Sequence, residues 1–469
     1  MKVALIWPKG FRTKAVIPLS LGYLKSNIDN TRHDVKIFDY SLNNVDSNSS
    51  SLQEMIKKFN PKIIGISCWS ITYKEAIRIL KKIKSINKNI ITVIGGIHAT
   101  VNSDEVIKNK DIDFLFRGEA EISFSKFIDE MQKEKPDLSK IEGLTYCSSK
   151  NDDIVNNKII WGKNLDKIKI PDYDAINLEG YLKTGYKYAS QDRRNAPIRV
   201  TRGCPYSCDF CSASIQNGKI VRHHSVEYII KWIKFLYYNK KIKTINIIDD
   251  NFTFYSEYAK DVCKAIIKLN LKDLHMGTPN GIRMECVDKE LLKLMKRAGW
   301  EYLVVAPESG SIKTLKRMNK KLDLEIVPEK VKEIKDAGFK ITGYFMVGYP
   351  GESQKDIKDT VKLIRKCKFD FFHLFNFQPL PGTPVYDRLV KRGEISSDFL
   401  PKEYSSGNIV YTPKKLKDFN FPLLRLREYL YLAVTNPSSI PYALKYFSHK
   451  TIITKIFSNS INVLKNIFK

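Results

Sequence analysis

TRGCPYSCDFC (201–211) places three cysteines, Cys204, Cys208 and Cys211, within eight positions of one another. The other five cysteines are scattered along the chain, and eight in so long a chain are too few for a disulfide framework. In a reducing compartment, thiols this close together indicate a metal site. Thiolates are soft ligands that suit zinc or an iron–sulfur cluster. The stretch therefore predicts a metal-bearing loop that follows an apolar strand.

The three cysteines alone do not identify the fourth ligand of such a site. Structural zinc requires four protein ligands, and His223 or His224 could supply one, although their spacing from Cys211 matches no common zinc-finger pattern. A [4Fe–4S] cluster held by three cysteines instead leaves one iron free to bind a substrate. The cluster is the favoured alternative because closed zinc sites usually show paired groups of ligands.

Strand-like and helical segments alternate from Ala196 onward. Six apolar stretches end in polar or glycine-rich tips, and helical patterns separate them. This order predicts a partial (β/α)6 barrel of the TIM type, whose site lies at the carboxyl ends of its strands. The six stretches are PIRVTRGC (197–204), KTINIIDDNFTF (243–254), DLHMGTPNGIRME (273–285), EYLVVAPESGS (301–311), FKITGYFMVGYPGES (339–353) and FDFFHLFNFQPLPGTP (369–384).

The first 120 residues also alternate between strand and helix patterns, which indicates an α/β domain with a parallel sheet. We expect a doubly wound, flavodoxin-like (Rossmann-like) fold, with ligands at the strand ends. A helix is expected at 71–86, another at 121–132, a hairpin at 143–162 and a linker at 168–181. The predicted strands are KVALIWP (2–8), HDVKIFDY (33–40), KIIGISCW (62–69), NIITVIGG (89–96) and DIDFLFRGE (111–119).

Composition narrows the class of protein. The chain has 469 residues with 43% hydrophobic and 28% charged content, as expected for a globular protein of two or three domains. It has neither a signal peptide nor an apolar run of membrane-spanning length, so we expect a cytoplasmic location. The net charge of +28 invites a nucleic-acid partner, but lysine is abundant throughout and no arginine–aromatic stripe stands out. No nucleic-acid partner is therefore expected.

The cysteine loop resembles that of the radical S-adenosylmethionine (SAM) enzymes. These share the C-x3-C-x2-C spacing, an aromatic residue before the last cysteine (here Phe210), and a position after the first strand of a partial barrel. The resemblance implies a [4Fe–4S] cluster whose open iron chelates SAM. One electron from that cluster then cleaves SAM to a 5′-deoxyadenosyl radical. On this reading the missing fourth ligand is the cosubstrate.

The resemblance also implies SAM-binding residues at the later strand ends. Asp249, Asp250 and Asn251 lie where the family holds the methionine amino group. Arg283 is placed to pair with the SAM carboxylate, for which a guanidinium fork is suited. Glu308 resembles the residue that contacts ribose or methionine, and the segments around Gly348 and Gln378 would frame the adenine.

The first domain resembles the cobalamin-binding domain that precedes the barrel in one large class of radical SAM enzymes. The matching segments are IPLSLGYL (17–24), KIIGIS (62–67), VIGGIHAT (93–100) and FRGEAEISF (116–124). The implied cobalamin contacts are Ser67, Gly95, Gly96 and His98, the two glycines allowing close approach of a flat ligand. The Asp-x-His-x-x-Gly motif of many cobalamin proteins is absent, which leaves the axial cobalt ligand open. His98 is equally compatible with a structural role.

The chain after Glu428 has no acidic residue and carries lysines among aromatic and aliphatic side chains. Such a tail is typical either of core packing with a solvated lysine face or of a helix at an anionic membrane surface. The membrane alternative would make the substrate lipid-like. The expected domains are cobalamin-binding (1–135), hairpin and linker (136–190), radical SAM core (191–385) and a helical C-terminal region (386–469).

The leading functional prediction is a cobalamin-dependent enzyme that methylates an unactivated carbon of a small, hydrophobic or lipid-like molecule. The implied electron donor is reduced ferredoxin or flavodoxin. The alternative keeps the same cofactors but performs oxidative ring formation, as in the anaerobic magnesium-protoporphyrin monomethyl ester cyclase, which the chain also resembles. A transfer-RNA methylthiotransferase is excluded because the first domain contains only Cys68. A non-catalytic cobalamin sensor would not need the cysteine loop.

Overall fold

The computed structural model describes residues 1–10, 16–148, 153–186, 194–401 and 409–440. The chain divides into two compact units that are interleaved in sequence. The first unit comprises Met1–Phe252, Ala265–Pro279 and Leu380–Glu403, and the second comprises Thr253–Lys264, Asn280–Pro379 and Tyr404–Lys469. No helix in the described ranges has the length and apolar composition needed to cross a membrane.

A seven-stranded sheet forms the amino-terminal part of the first unit, with the strand order β2-β1-β3-β4-β5-β6-β7. The first five strands of that order pair in parallel, and β6 and β7 continue the sheet antiparallel. The order confirms the doubly wound, flavodoxin-like prediction. The strands are β1 (Lys2–Trp7), β2 (Asp34–Asp39), β3 (Ile63–Ser67), β4 (Ile91–Gly95), β5 (Phe114–Phe116), β6 (Leu144–Cys147) and β7 (Ile154–Asn156).

Helices cover this sheet because their apolar residues recur at helical spacing. In the third helix Ala76, Ile79, Leu80 and Ile83 are buried, at the i, i+3, i+4 and i+7 positions of one face. They join the core formed by the buried side chains of β1, β3 and β4. The helices are α1 (Leu19–Asn27), α2 (Ser51–Phe59), α3 (Tyr73–Ile86), α4 (Ile97–Val101), α5 (Ser103–Val106), α6 (Glu121–Glu130) and α7 (Leu178–Lys183).

The segment after α6 is more closely attached to this domain than the sequence predicts. The expected hairpin forms, but it extends the sheet through pairing of β5 with β6. The expected linker includes α7, and the Tyr181 hydroxyl donates a 2.6 Å hydrogen bond to the buried Asp39 at the end of β2. These long-range contacts leave no signal in local sequence patterns.

All six strands predicted from Ala196 onward are present. They form two three-stranded parallel sheets, β12-β11-β8 in the first unit and β13-β14-β15 in the second. Two further short strands, β9 and β10, pair antiparallel on either side of the cysteine loop. The strands are β8 (Asn195–Ile198), β9 (Thr201–Arg202), β10 (Arg222–His223), β11 (Thr244–Ile247), β12 (His275–Gly277), β13 (Tyr302–Glu308), β14 (Lys340–Val347) and β15 (Phe371–Asn376).

Helices separate these strands, and the last one belongs to the C-terminal region. In the second unit the buried Arg425 donates a 2.7 Å hydrogen bond to the Asn376 side chain, which ties the last helix to the end of β15. The helices are α8 (Ala213–Asn217), α9 (Val226–Lys234), α10 (Ser256–Lys268), α11 (Lys289–Arg297), α12 (Ile312–Arg317), α13 (Ile326–Asp336), α14 (Gln354–Cys367), α15 (Pro384–Lys391) and α16 (Phe421–Thr435).

Candidate active site

The cysteine loop occupies the connection between β9 and β10 in the first unit. The Cys204 amide donates to the Gly218 carbonyl at 3.0 Å, and the Cys211 amide donates to the Cys208 carbonyl at 3.1 Å. The Ala213 amide, at the start of α8, points at the Cys211 sulfur at 3.5 Å. All three cysteines are partly exposed and none is in a disulfide. The loop thus presents free thiols on a backbone held by its own hydrogen bonds.

Burial dominates the electrostatics of Cys211. It raises the pKa of this thiol to about 12, and the nearby Cys208, Asp250 and Cys204 act in the same direction. The thiol therefore stays protonated at neutral pH until a metal displaces the proton. Phe210, beside it, is partly exposed. The donor set of three soft sulfurs fits an iron–sulfur cluster.

A helix from far along the chain holds this loop. Arg388 of α15 forms an ion pair with Asp209, donating from Nη1 to Oδ1 at 2.8 Å. The Val385 amide also donates to the Asp209 carbonyl at 3.2 Å. Asp209 lies between Cys208 and Cys211, so both contacts fix the middle of the cysteine motif. Asp209 carries no local sequence signal for this role, because its partner lies 179 residues away.

The two histidines considered as zinc ligands are engaged elsewhere. His224 is fully buried, lies 3.0 Å from an Asp166 carboxylate oxygen through Nδ1, and stacks on Tyr228. His223 lies 3.1 Å from the His224 carbonyl through Nδ1. Neither histidine is therefore available to complete a four-ligand zinc site with the loop cysteines. These contacts favour the cluster over the zinc alternative.

Asp249 and Asp250 follow β11 and face different neighbours. Both carboxylate oxygens of Asp249 accept backbone N–H groups, from Val200 at 2.8 Å and Thr201 at 2.7 Å. This contact explains why the first predicted strand is split into β8 and β9. Burial raises the pKa of Asp249 to about 7 despite these hydrogen bonds. Asp250 accepts a 2.7 Å hydrogen bond from Asn217 at the end of α8.

Asn251 offers hydrogen-bonding groups that the chain itself does not use. It is 1% exposed, and neither polar atom of its amide has a hydrogen-bond partner among the described residues. Buried polar groups are rarely left in this state, and a ligand is one way to satisfy them. Asn251 therefore fits a polar ligand such as SAM better than Asp249 does. The SAM contacts of all three residues stay predictions.

Arg283 and Glu308 lie in the second unit. The Arg283 guanidinium donates to the Glu285 carboxylate at 2.6 Å and also to the Lys321 carbonyl. Glu308 ends β13 with a left-handed φ of +68°, after a register shift in the pairing with β14. Burial raises its pKa, and the charges of Lys320 and Arg283 oppose this effect. A non-glycine residue held in this conformation is typical of functional sites.

The glycine turn after β14 is shaped by a residue that the sequence analysis did not single out. Glu352 is fully buried and accepts N–H groups of Gly348 at 2.5 Å and Tyr349 at 3.2 Å. Burial raises its pKa to about 8, opposed by these hydrogen bonds. Gly348 has a φ of +81°, so the turn requires glycine. Gln378 lies just after β15, with its side-chain oxygen buried.

The predicted cobalamin positions lie at the carboxyl ends of β3 and β4. Ser67 ends β3, and Gly95 ends β4, where a Cβ atom would come no closer than 3.9 Å to the rest of the chain. Gly96 has a different reason to be glycine. Its φ is +95° and a Cβ atom would lie 2.5 Å from the Cys68 carbonyl oxygen. Of the two glycines, only Gly95 could therefore accept a Cβ atom without strain.

His98, in α4, is buried rather than presented at the surface. It is 3% exposed, packs on the Tyr73 ring, and lies 3.0 Å from the Ser70 hydroxyl through Nδ1. Burial lowers its pKa to about 4, so the imidazole is neutral at physiological pH. These contacts support a role in shaping the strand end. Its contact with cobalamin stays a prediction.

The basic tail falls mostly outside the described residues. This applies to Tyr442, Lys445, Tyr446, Phe447, Lys450, Ile452, Ile453, Lys455, Phe457, Lys465, Phe468 and Lys469. Its predicted membrane contact therefore stays a prediction.

Two family models match the chain in the order that the geometry suggests. The B12 binding domain model matches residues 13–128, and the radical SAM superfamily model matches residues 198–364. The chain belongs to the cobalamin-binding radical SAM proteins. Its cofactors are accordingly a [4Fe–4S] cluster, SAM and cobalamin. The three soft sulfurs of the cysteine loop suit the cluster.

Relatives of this radical SAM protein extend over nearly the whole chain. An uncharacterized methyltransferase of Pyrococcus horikoshii is 28% identical over 96% of this chain and 92% of its own length. The anaerobic magnesium-protoporphyrin IX monomethyl ester cyclase of Rubrivivax gelatinosus is 24% identical, over 84% of this chain and 68% of its own. The radical SAM methyltransferase TsrM from Kitasatospora setae, solved with cobalamin and a [4Fe–4S] cluster, has the same fold. The TM-score is 0.70 at 15% identity, covering 88% of this chain and 83% of TsrM.

Proposed function

We propose that the protein is a methyltransferase that uses SAM both as methyl donor and as radical source, and that methylates an unactivated carbon of a small molecule. One observation supports this most directly. Helix α4, which follows the β4 strand end, packs against α8, which follows the cysteine loop. The elements predicted to hold cobalamin and the cluster are therefore neighbours within the first unit. Methyl transfer between two cofactors requires such proximity.

When bound, the cluster supplies the electron that cleaves SAM, and cobalamin supplies a carrier for the methyl group. The chain's own residues bind and orient. Cys204, Cys208 and Cys211 hold the cluster, and the Asn251 amide offers SAM a donor and an acceptor. Arg283 and Glu308, in the second unit, are candidates for binding the SAM carboxylate and the ribose or methionine part of SAM. Gly95 allows a flat ligand to approach the backbone closely beside β4.

The substrate is proposed to be a small molecule, with reduced ferredoxin or flavodoxin as the electron donor. The prediction of a hydrophobic or lipid-like substrate rests on the tail, which lies mainly beyond the described residues. That finer choice accordingly has no support from the fold. Neither a nucleic-acid partner nor a membrane contact is needed for the proposed reaction.

Oxidative ring formation is the second candidate. It is favoured by the similarity to the Rubrivivax cyclase, which spans 84% of this chain. The two functions differ in whether the SAM methyl group reaches cobalt and then the substrate. They share the cluster, SAM and cobalamin.

The deciding experiment is anaerobic purification with cobalamin supplied during expression. Iron and cobalt per chain are measured first. The reduced enzyme is then given SAM carrying a trideuterated methyl group, and two products are quantified: 5′-deoxyadenosine and methylated cobalt. We expect one cluster and near-stoichiometric cobalt, with label on cobalt. Cobalt that stays unlabelled while 5′-deoxyadenosine accumulates would reject methyl transfer in favour of the cyclase-like alternative.

Two alanine variants provide the control. Cys208→Ala should lose iron and SAM cleavage because the cluster loses a ligand. Cys147→Ala removes an exposed thiol outside the triad and should behave as wild type. Iron-dependent SAM cleavage that survives in Cys208→Ala would contradict the assignment of the loop.

A further inference from the structure

The FRGEAE segment (116–121) carries two glutamates that the proposed function leaves without a role. Glu119 lies in the turn after β5, and Glu121 is the first residue of α6. Both carboxylates engage arginines of the radical SAM core. Arg222 donates to Glu119 through both terminal nitrogens, at 2.9 and 2.6 Å. Arg202 lies 2.7 Å from Glu121 and 3.5 Å from Glu119.

The two arginines stand at the foot of the cysteine loop. Arg202 is in β9 and Arg222 in β10, and they are direct partners in the antiparallel pairing. The loop with its three cysteines and α8 is the excursion between them. Glu119 and Glu121 of the cobalamin-binding domain therefore bind both strands that flank the cysteine loop.

Because these four side chains are largely buried, their ion pairs depend on accurate geometry. The side chains of Arg202 and Arg222 are 2% and 6% exposed, and those of Glu119 and Glu121 are 11% and 12% exposed. Two positive and two negative charges balance within the group. Charges taken out of water are tolerated only when their partners stay well placed. The guanidinium of Arg202 also lies over the Tyr23 ring of α1, 5.1 Å from its centroid.

A tryptophan fills the space beside the ion pairs. A Cβ atom on Gly118, next to Glu119, would lie 2.9 Å from the Trp161 ring, and one on Gly218 would lie 3.1 Å from it. Trp161 is thus in contact with the turn after β5 and with the end of the cluster loop segment. The Arg222 guanidinium lies 5.5 Å from the centroid of the same ring. The packing of Trp161 and the ion pairs of the arginines therefore stabilise the same junction between the turn after β5 and the cysteine loop.

We propose that Glu119 and Glu121 are positioning residues that clamp the foot of the cysteine loop to the end of β5 and so set the separation between the cobalamin and the cluster. We name the four residues Glu119, Glu121, Arg202 and Arg222 the carboxylate–arginine clamp. This inference rests on the proposed function, because only a reaction that uses both cofactors needs their separation fixed.

The geometry argues against the alternative that these glutamates contact a cofactor. Both oxygens of Glu119 and one oxygen of Glu121 face guanidinium groups at 3.5 Å or less. The same two terminal nitrogens of Arg222 also donate to the Gly162 and Asn217 carbonyls, at 3.0 and 2.9 Å, while its Nε has no hydrogen-bond partner among the described residues. The charged groups of the clamp therefore bind one another and backbone carbonyls of the chain, and not a cofactor.

The test compares Glu119→Gln with wild type as holoenzymes. Its first readout needs no turnover: pulsed electron paramagnetic resonance of the reduced cluster and Co(II) cobalamin, without SAM, gives their distance distribution. Its second readout is the rate of cobalt methylation by SAM. The third readout is the rate of 5′-deoxyadenosine formation, which needs the cluster but not the cobalamin. The matched control is Glu142→Gln, since Glu142 forms a more exposed ion pair with Lys126 at 2.8 Å in the same domain.

We expect Glu119→Gln to keep its iron and cobalt and to form 5′-deoxyadenosine within about twofold of the wild-type rate. Its distance distribution should broaden, and its cobalt methylation should fall at least about tenfold, because near-attack geometry is steep in distance. Arg222→Lys, which keeps the charge and loses the fork, should shift the same two readouts less. If Glu119 only stabilised the fold, Glu119→Gln would lower cobalt methylation and 5′-deoxyadenosine formation together as it broadened the distance distribution.

Two outcomes would overturn the clamp. One is an unchanged distance distribution in Glu119→Gln with a wild-type rate of cobalt methylation. The other is loss of iron or cobalt from a folded variant, which would make the glutamate part of a cofactor site. If wild type itself does not methylate cobalt, the proposed function fails, while the distance readout still decides the clamp. If Glu119→Gln does not fold, Glu119→Gln/Arg222→Met removes the unbalanced charge and should show the same broadening.

Discussion

At the scale of single residues, burial lowers the pKa of three histidines. His98 and His224 are buried and His373 is partly buried, and burial lowers the pKa of each to about 4. In the unfolded chain a histidine titrates near 6.5. Each of these residues therefore binds a proton more readily when the protein unfolds.

The sign of this effect makes the fold sensitive to acid. A group whose pKa is depressed by folding contributes stability above its unfolded pKa and loses it as pH falls towards its folded value. For His98 this window runs from pH 6.5 down to about 4. Between pH 7 and pH 5 the wild-type free energy of unfolding should fall by about 2 kcal/mol more than that of His98→Asn. Urea unfolding of the full chain at the two pH values measures the difference.

The exposed His223 provides the control for this prediction. His223→Asn makes the same substitution at an exposed histidine of the same unit and controls for the loss of an imidazole as such. Equal pH dependence of wild type and His98→Asn would show that His98 is not neutral and buried in solution.

At the scale of elements, the cluster loop is held by partners on both sides. Glu119 and Glu121 bind the two flanking strands, β9 and β10. Helix α15 binds the middle of the loop through the ion pair of Arg388 with Asp209. Asp209 is 10% exposed, and Arg388 is its ion-pair partner. The cysteine spacing alone would leave the loop free to adopt many arrangements. Contacts with distant elements select one of them.

Removing the partner of Asp209 should loosen the cluster. In Arg388→Met the buried carboxylate loses its ion pair, and Arg388 is 45% exposed, so solvent screening reduces the cost below that of a fully buried pair. We expect a loss of about 1.4 kcal/mol in loop stability, equivalent to about tenfold faster removal of iron by a chelator. The rate is followed by the decay of cluster absorbance under anaerobic conditions.

Arg392→Met is the matched change on the same helix end. Arg392 is 62% exposed and lies 3.9 Å from Glu394, away from the cysteine motif. Iron should leave this variant at the wild-type rate. If Arg388→Met also kept its iron as wild type does, the contact with Asp209 would not hold the cluster loop.

At the scale of the whole molecule, the two cofactor sites use separate strands. The predicted cobalamin positions end β3 and β4, whereas the cysteines lie between β9 and β10. Loss of one cofactor should therefore leave the other in place. Cys208→Ala should contain no cluster and yet bind cobalt at the wild-type ratio, as measured by metal analysis after purification with cobalamin.

The reciprocal variant completes this prediction. Gly95→Leu should keep its iron and lose cobalt, because the chain has room for a side chain there and the cofactor would need the same room. Gly96 is unsuitable for this purpose since its own backbone forbids a side chain. Loss of cobalt from Cys208→Ala in proportion to iron would show that the first domain needs the cluster to hold cobalamin.

The candidate site residues could be predicted from the sequence because their signals are local. Three cysteines on one loop, and a polar or glycine-rich tip after each strand, can be recognised without knowing what they contact. The SAM contacts of Phe210, Asp249, Asp250, Asn251, Arg283, Glu308, Gly348 and Gln378 stay predictions. Among them the fold distinguishes Asp249, whose oxygens hold β8 and β9, from Asn251, whose buried amide is left for a ligand.

By itself the sequence determined the order of strands and helices, the cluster loop and the family, since spacing and hydrophobic period are properties of neighbouring residues. Only the tertiary structure decided which charged residues meet. Glu119 joins Arg222 across 103 positions, and Arg388 joins Asp209 across 179. Such pairs depend on the packing of distant elements, where burial forces each charge or polar group to find a partner. Local sequence patterns carry no record of which partner that is.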